Sequence, residues 1–127
     1  MARTAHNRSG AVRLAFAAKG AGGVALVTDA VAVAPGTPVP PRLADGTLAG
    51  SVLTMADALS NVVAVEAAGL RRAVEAASTT PAGLLGLADR GAIEPGRRAD
   101  LVALAPRPGG GWRVASVWVG GEAAWPA

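Results

Sequence analysis

Apolar and polar positions divide the chain into short elements. In "AVRLAFAAKG", Val12, Leu14, Ala15, Phe16 and Ala18 precede Gly20. This pattern predicts a short helix from Ala11, stopped by the glycine. Residues 1–10 are polar and irregular and are expected to be poorly ordered. In "VALVT", residues 24–28, apolar side chains occupy successive positions. A strand apolar on both faces belongs in the interior of a parallel sheet. Helix, glycine turn and uniformly apolar strand together predict an α/β unit.

Pro35, Pro38, Pro40 and Pro41 then predict a long loop over residues 34–45. "DGTLAGSVLTM" leads into a helix, with Thr54 as its cap and Asp57 as the capping-box partner. Met55, Leu59, Val62 and Val63 share one face of that helix. A second helix is predicted over residues 70–78 with Leu70, Val74 and Ala77 inward, and a third, short one starts at Thr80-Pro81. Gly91, Pro95 and Gly96 form turns, residues 101–104 read as a strand, and "PRPGGG" reads as a hairpin-like loop. "WRVASVWV" alternates, with Trp112, Val114, Ser116 and Trp118 on one face and Arg113, Ala115, Val117 and Val119 on the other. Two or three antiparallel strands therefore close the chain. The single parallel-type strand at 24–28 finds no partner in the pattern, so the sequence reads as the tail of a larger protein.

Composition sharpens this picture. Hydrophobic residues make up 51%, enough for a core, but aromatics are only 3% and Tyr is absent. Much of the apolar content is Ala and Val, which bury little area each. The absence of Cys excludes disulfides and thiolate metal sites and fits a cytoplasmic protein. No apolar run approaches the roughly 18 residues of a membrane helix, and no signal-peptide core follows the basic N-terminus. The net charge of +3 and pI near 11.0 come with only 17% charged residues. Arg3, Arg8 and Arg13 lack interleaved aromatics. That distribution argues against a nucleic-acid footprint.

The candidate chemistry is sparse. Asp29 ends the apolar strand, where a barrel enzyme carries its catalytic side chains, although an Asp before a turn also serves as a turn former. "GTLAGS", residues 46–51, offers small residues whose backbone can approach a ligand closely. His6 is the only histidine. A hydrolytic metal needs about three protein ligands, so no metal site is expected from this chain alone. In "EPGRRADLVAL", Pro-Gly makes the turn, Arg97 and Arg98 are expected to stay solvated, and Asp100 is expected to bind backbone amides.

Taken together, "LVTDA", "LADGTLAGSVLTM", "STTPAGLLGL" and "GAIEPGRRADLVAL" resemble, in order and spacing, the C-terminal part of the N-acetylglucosamine-6-phosphate deacetylase family of the amidohydrolase superfamily. The resemblance implies an α/β fold: the last strand and helices of a metal-dependent TIM-barrel hydrolase over residues 1–88, then strands of its small β-sandwich domain over residues 89–127. It implies hydrolysis of N-acetylglucosamine 6-phosphate to glucosamine 6-phosphate and acetate. Asp29 takes the role of general base and then general acid, and Leu48, Ala49 and Gly50 take the substrate contacts. His6 and Arg13 stand at the family's spacing of a substrate-binding His from an Arg in the next helix, although "RTAHNRSG" differs from the family's "DGxHVxP". The family also implies a divalent metal of the zinc or iron type in the parent enzyme, a small amino-sugar phosphate as partner, and a homo-oligomeric, cytoplasmic parent. A non-catalytic product of a truncated gene and the tail of another amidohydrolase, such as a deaminase, are the alternatives. "GTLAGS" matches the sugar deacetylases better.

Overall fold

The computed structural model describes residues 6–20, 22–33, 40–65 and 68–125, with side chains described from Ser9 onward. Among these residues, four helices precede a three-stranded sheet: α1 (His6–Lys19), α2 (Met55–Ala64), α3 (Leu70–Ala77), α4 (Thr79–Leu84), β1 (Leu101–Pro106), β2 (Trp112–Val119) and β3 (Glu122–Trp125). The sheet is antiparallel in the order β1-β2-β3. α2 packs on α3 and on β2.

α1 begins at His6 rather than Ala11, so the polar residues 6–10 are helical. The expected disorder of residues 1–5 lies outside the described residues. Gly20 ends the helix with φ 67°, a left-handed conformation that suits glycine. α2 starts as the sequence predicts: Thr54 Oγ1 accepts from the Asp57 amide at 3.1 Å and donates to the Asp57 carboxylate at 2.7 Å. The first contact satisfies one of the helix-end amides that have no partner within the helix, and the second fixes the Thr54 hydroxyl on the Asp57 carboxylate.

The core is small. Phe16, Leu59, Val62, Ala68, Ala73 and Ala76 are buried, with Val12, Val24, Leu26, Val63, Leu104 and Trp112 packed against them. Half of this cluster is alanine, so most of the apolar stabilisation falls on Phe16, Leu59 and Val62, at about 1.5–3 kcal/mol each. The Arg72 guanidinium lies 5.7 Å from the centre of the Phe16 ring and donates to the Phe16 carbonyl at 2.9 Å. This ties α3 to α1 at the core's one phenylalanine.

Several expectations are corrected. Residues 24–28 form no strand and pair in no sheet. The Leu26 amide bonds the Ala76 carbonyl at 2.8 Å, and Val27 is 78% exposed. An isolated segment has no neighbouring strand to complete a ladder or cover its second face. α3 turns Ala73 and Ala76 inward, leaving Leu70 and Val74 each 43% exposed. Alanine lets α3 approach the core closely, and the larger side chains have no layer to pack against.

The β1–β2 ladder pairs Ala103 with Ser116 but Leu104 with Val114, so Ala115 is an extra residue in β2. This bulge interrupts the simple alternation, and Val114 to Trp118 are all half-buried. The β1–β2 loop closes as the sequence predicts, with the Arg107 amide donating to Gly111 O at 3.0 Å and the Gly110 amide to Arg107 O at 3.0 Å.

Arg97 and Arg98 are not merely solvated. Arg97 Nη1 donates to Ala88 O at 2.7 Å and its Nε reaches Glu94 at 2.8 Å. Arg98 Nε pairs with Asp100 at 2.8 Å. The turn presents carbonyls and carboxylates that a planar guanidinium matches well. Asp100 has the structural part expected of it: its Oδ1 accepts the Gly120 amide at 2.9 Å.

Candidate active site

The apolar segment 24–28 leads directly into Asp29. Asp29 is exposed and has φ 51°, the only described non-glycine residue with positive φ. Asp tolerates the left-handed region better than most residues, at a cost of roughly 1–2 kcal/mol. Something in the surroundings must therefore hold it there.

The stretch from Gly50 to Ser51 does so. The Ser51 amide donates to Asp29 O at 2.8 Å, and Ser51 O accepts the Val31 amide at 2.9 Å. These bonds make a single parallel bridge between Ala30 and Ser51. The Ser51 hydroxyl donates to Thr28 O and accepts the Leu53 amide at 3.1 Å. Thr28 Oγ1 accepts the Ala30 amide at 3.3 Å. Gly50 is buried, with φ 132°, and a Cβ there would stand 2.8 Å from Asp29 O and 2.9 Å from Val31 Cγ1. Only glycine lets the two segments approach this closely.

Leu48 and Ala49 reach the site on a small loop. The Ala49 amide donates to Pro41 O at 2.9 Å and the Leu43 amide to Thr47 O at 2.8 Å, which pairs Arg42 with Leu48 in antiparallel register. Arg42 and Leu48 form the non-hydrogen-bonded pair of this register, so the Leu48 amide and carbonyl turn outward. Its side chain is exposed. At the tip, Asp45 Oδ1 accepts the Thr47 amide at 2.9 Å, and Arg42 Nη1 donates to Gly46 O at 2.7 Å. The bonds from the Thr47 amide and hydroxyl hold the Asp45 carboxyl below its ordinary value.

The structure thus joins Asp29 to Gly50 by direct backbone contact and brings Leu48 and Ala49 to the same loop. His6 opens α1, and its side chain lies outside the described residues. Sequence reasoning missed Ser51 and Thr28. The signal was a hydroxyl residue beside each segment's key position: Ser51 after Gly50, and Thr28 before Asp29. Among the described residues, no three His, Cys, Asp or Glu side chains cluster to hold a metal. None of the described helices is long and apolar enough to cross a membrane.

Residues 4–124 match the Amidohydrolase family. The chain belongs to that family. An N-acetylglucosamine-6-phosphate deacetylase of Lysinibacillus sphaericus is 34% identical over 112 aligned positions, covering 76% of this chain and 29% of that protein. A putative N-acetylgalactosamine-6-phosphate deacetylase of Escherichia coli K12 is 37% identical over 84 positions, covering 65% of this chain and 48% of that protein. The crystal structure of N-acetylglucosamine-6-phosphate deacetylase from Pasteurella multocida superposes with a TM-score of 0.77 at 26% identity, over 91% of this chain and 33% of that one. The Thermotoga maritima enzyme of the same name gives 0.75 at 30% identity, over 94% and 36%.

This amidohydrolase chain therefore spans less than half the length of the relatives it matches. Its fold is that of the C-terminal portion of a TIM-barrel deacetylase together with strands of the attached β domain.

Proposed function

We propose that this chain contributes the proton-transfer carboxylate and part of the sugar site of an enzyme that deacetylates N-acetylglucosamine 6-phosphate. One observation carries the reading: Asp29 follows the apolar segment, exposed, in a left-handed conformation clamped by Ser51 and backed by Gly50. A turn former of no further use would not need that hold.

In the reaction, water adds to the acetamide carbonyl and the C–N bond breaks, giving acetate and glucosamine 6-phosphate. Asp29 accepts a proton from the attacking water and returns it to the departing amine nitrogen. The backbone at Leu48, Ala49 and Gly50 contacts the sugar, and His6 adds a further substrate contact. The E. coli relative's name points to the galactosamine epimer, so the sugar's C4 configuration is the finer choice within one substrate class. The described residues do not by themselves fit a divalent metal, and the role assigned to this chain is confined to proton transfer and substrate contact. Residues 1–88 form the barrel part and residues 89–127 the β-sandwich part of a cytoplasmic, homo-oligomeric enzyme.

The test is Asp29→Asn in the active enzyme built on this sequence. Asn keeps the size and the turn propensity but cannot take the proton. Acetate release should fall by about 10²–10⁴ in kcat with KM little changed. A kcat near normal would return Asp29 to a turn former.

A further inference from the structure

The conformation of Asp29 is set by the two peptide groups that flank its Cα. The Thr28 carbonyl lies on one side and the Asp29 carbonyl on the other, so fixing both oxygens fixes φ and ψ between them. One residue holds both. The Ser51 hydroxyl donates to Thr28 O, and the Ser51 amide donates to Asp29 O at 2.8 Å. The hydroxyl is itself oriented by the Leu53 amide, 3.1 Å away, in a half-buried setting. Ser51 O then takes the Val31 amide at 2.9 Å, so the chain is gripped on both sides of Asp29.

We propose that Ser51 is the positioning residue for Asp29. Its hydroxyl holds the Thr28 peptide so that Asp29 stays left-handed and its Cα–Cβ bond keeps one direction. The inference rests on the reading of Asp29 as the proton-transfer group and adds the residue that aims it. Alanine at 51 would keep both backbone bonds to 29 and 31 but release the Thr28 carbonyl. Asp29 would then relax towards the extended region that L-residues prefer, and its carboxylate would swing with it. Threonine at 51 would keep the hydroxyl and the hold.

NMR spectroscopy on the labelled chain reads this directly. A positive φ brings the amide and Cα protons of one residue together and gives a strong NOE between them. The unaltered chain should show that NOE at Asp29, with slow amide exchange at Ser51 and Val31. Ser51→Ala should reduce it to the level of extended residues, while Ser51→Thr keeps it and the Leu59 and Val62 methyl shifts stay in place. An Asp29 NOE that is absent from the unaltered chain, or undiminished in Ser51→Ala, overturns the proposal. The NOE reports backbone conformation without substrate, and the Asp29→Asn rate reports proton transfer, so the two readings fail separately.

Discussion

The Asp57 carboxylate accepts from Arg107 Nη2 at 3.0 Å, joining the first turn of α2 to the loop between β1 and β2. The same carboxylate accepts the Thr54 hydroxyl that caps the helix. Arg107 also donates to Trp112 O at 2.9 Å, and the Trp112 amide donates to Ser60 Oγ at 2.9 Å. The helical part and the sheet are thus tied by a short polar seam along one side of α2.

That seam predicts a pH dependence. The Thr54 hydroxyl, and after it the Arg107 guanidinium, hold the Asp57 carboxyl below its ordinary value. A depressed folded-state pKa gives stability that is complete above the unfolded value, about 3.9, and is lost as pH falls through the folded one. Asp57→Asn should cost about 0.5–1 kcal/mol at pH 7, a modest figure because the pair is partly solvated. It should also flatten the fall in Tm below about pH 4. Thermal melts from neutral to acid pH check this, and parallel profiles for the two proteins would refute it.

Gly91 supports a second prediction. Its φ is +87°, and a Cβ there would stand 2.6 Å from Ala82 Cβ in α4. Gly91→Ala combines left-handed strain with overpacking and should cost about 2–4 kcal/mol. Gly86 has φ +68° with open space around it, so Gly86→Ala should cost only about 1–2 kcal/mol. Urea titrations of the pair measure the difference, and equal losses would mean that α4 yields to the added methyl.

Ser60 supports a third. Its hydroxyl accepts the Trp112 amide and donates to Ala56 O at 2.7 Å. Ser60→Ala leaves that half-buried amide without its acceptor and should cost about 1–3 kcal/mol. Faster amide exchange at Trp112, with α2 intact, is the accompanying signature.

The local elements were legible because local chemistry decides them. Thr54 writes an N-cap that the structure forms on the Asp57 amide, and "PRPGGG" writes a loop that closes the β1–β2 hairpin. What a side chain meets across space was less legible. Leu70 and Val74 carry the larger apolar side chains of α3, yet Ala73 and Ala76 fill the narrow approach to α2 and the core. The bulge at Ala115 depends on how β2 pairs with β1, which no single strand encodes. At the candidate site, Asp29 stood out by its place at the end of an apolar run. The hold from Ser51 did not, because it joins residues 23 positions apart through a hydroxyl and a backbone carbonyl, and carbonyls leave no mark in a sequence.

Val27 and Leu59 give the last prediction, since pattern and structure treat them differently. Both look like core residues in the sequence, but Leu59 is 5% exposed and Val27 is 78% exposed. Leu59→Ala should remove about 2–5 kcal/mol, because its cavity would open beside Phe16 and Val62 in a core with few large side chains. Val27→Lys should change the stability of the isolated chain by no more than about 0.5 kcal/mol, as for a surface position. In a closed barrel the same lysine would place a charge where the pattern of residues 24–28 calls for an apolar wall, and burying an unpaired charge is costly. Denaturant unfolding of the isolated chain separates the two settings. A loss of 2 kcal/mol or more from Val27→Lys, well above the ~0.5 kcal/mol typical of surface substitutions, would show that Val27 is covered in solution, contrary to its exposure here.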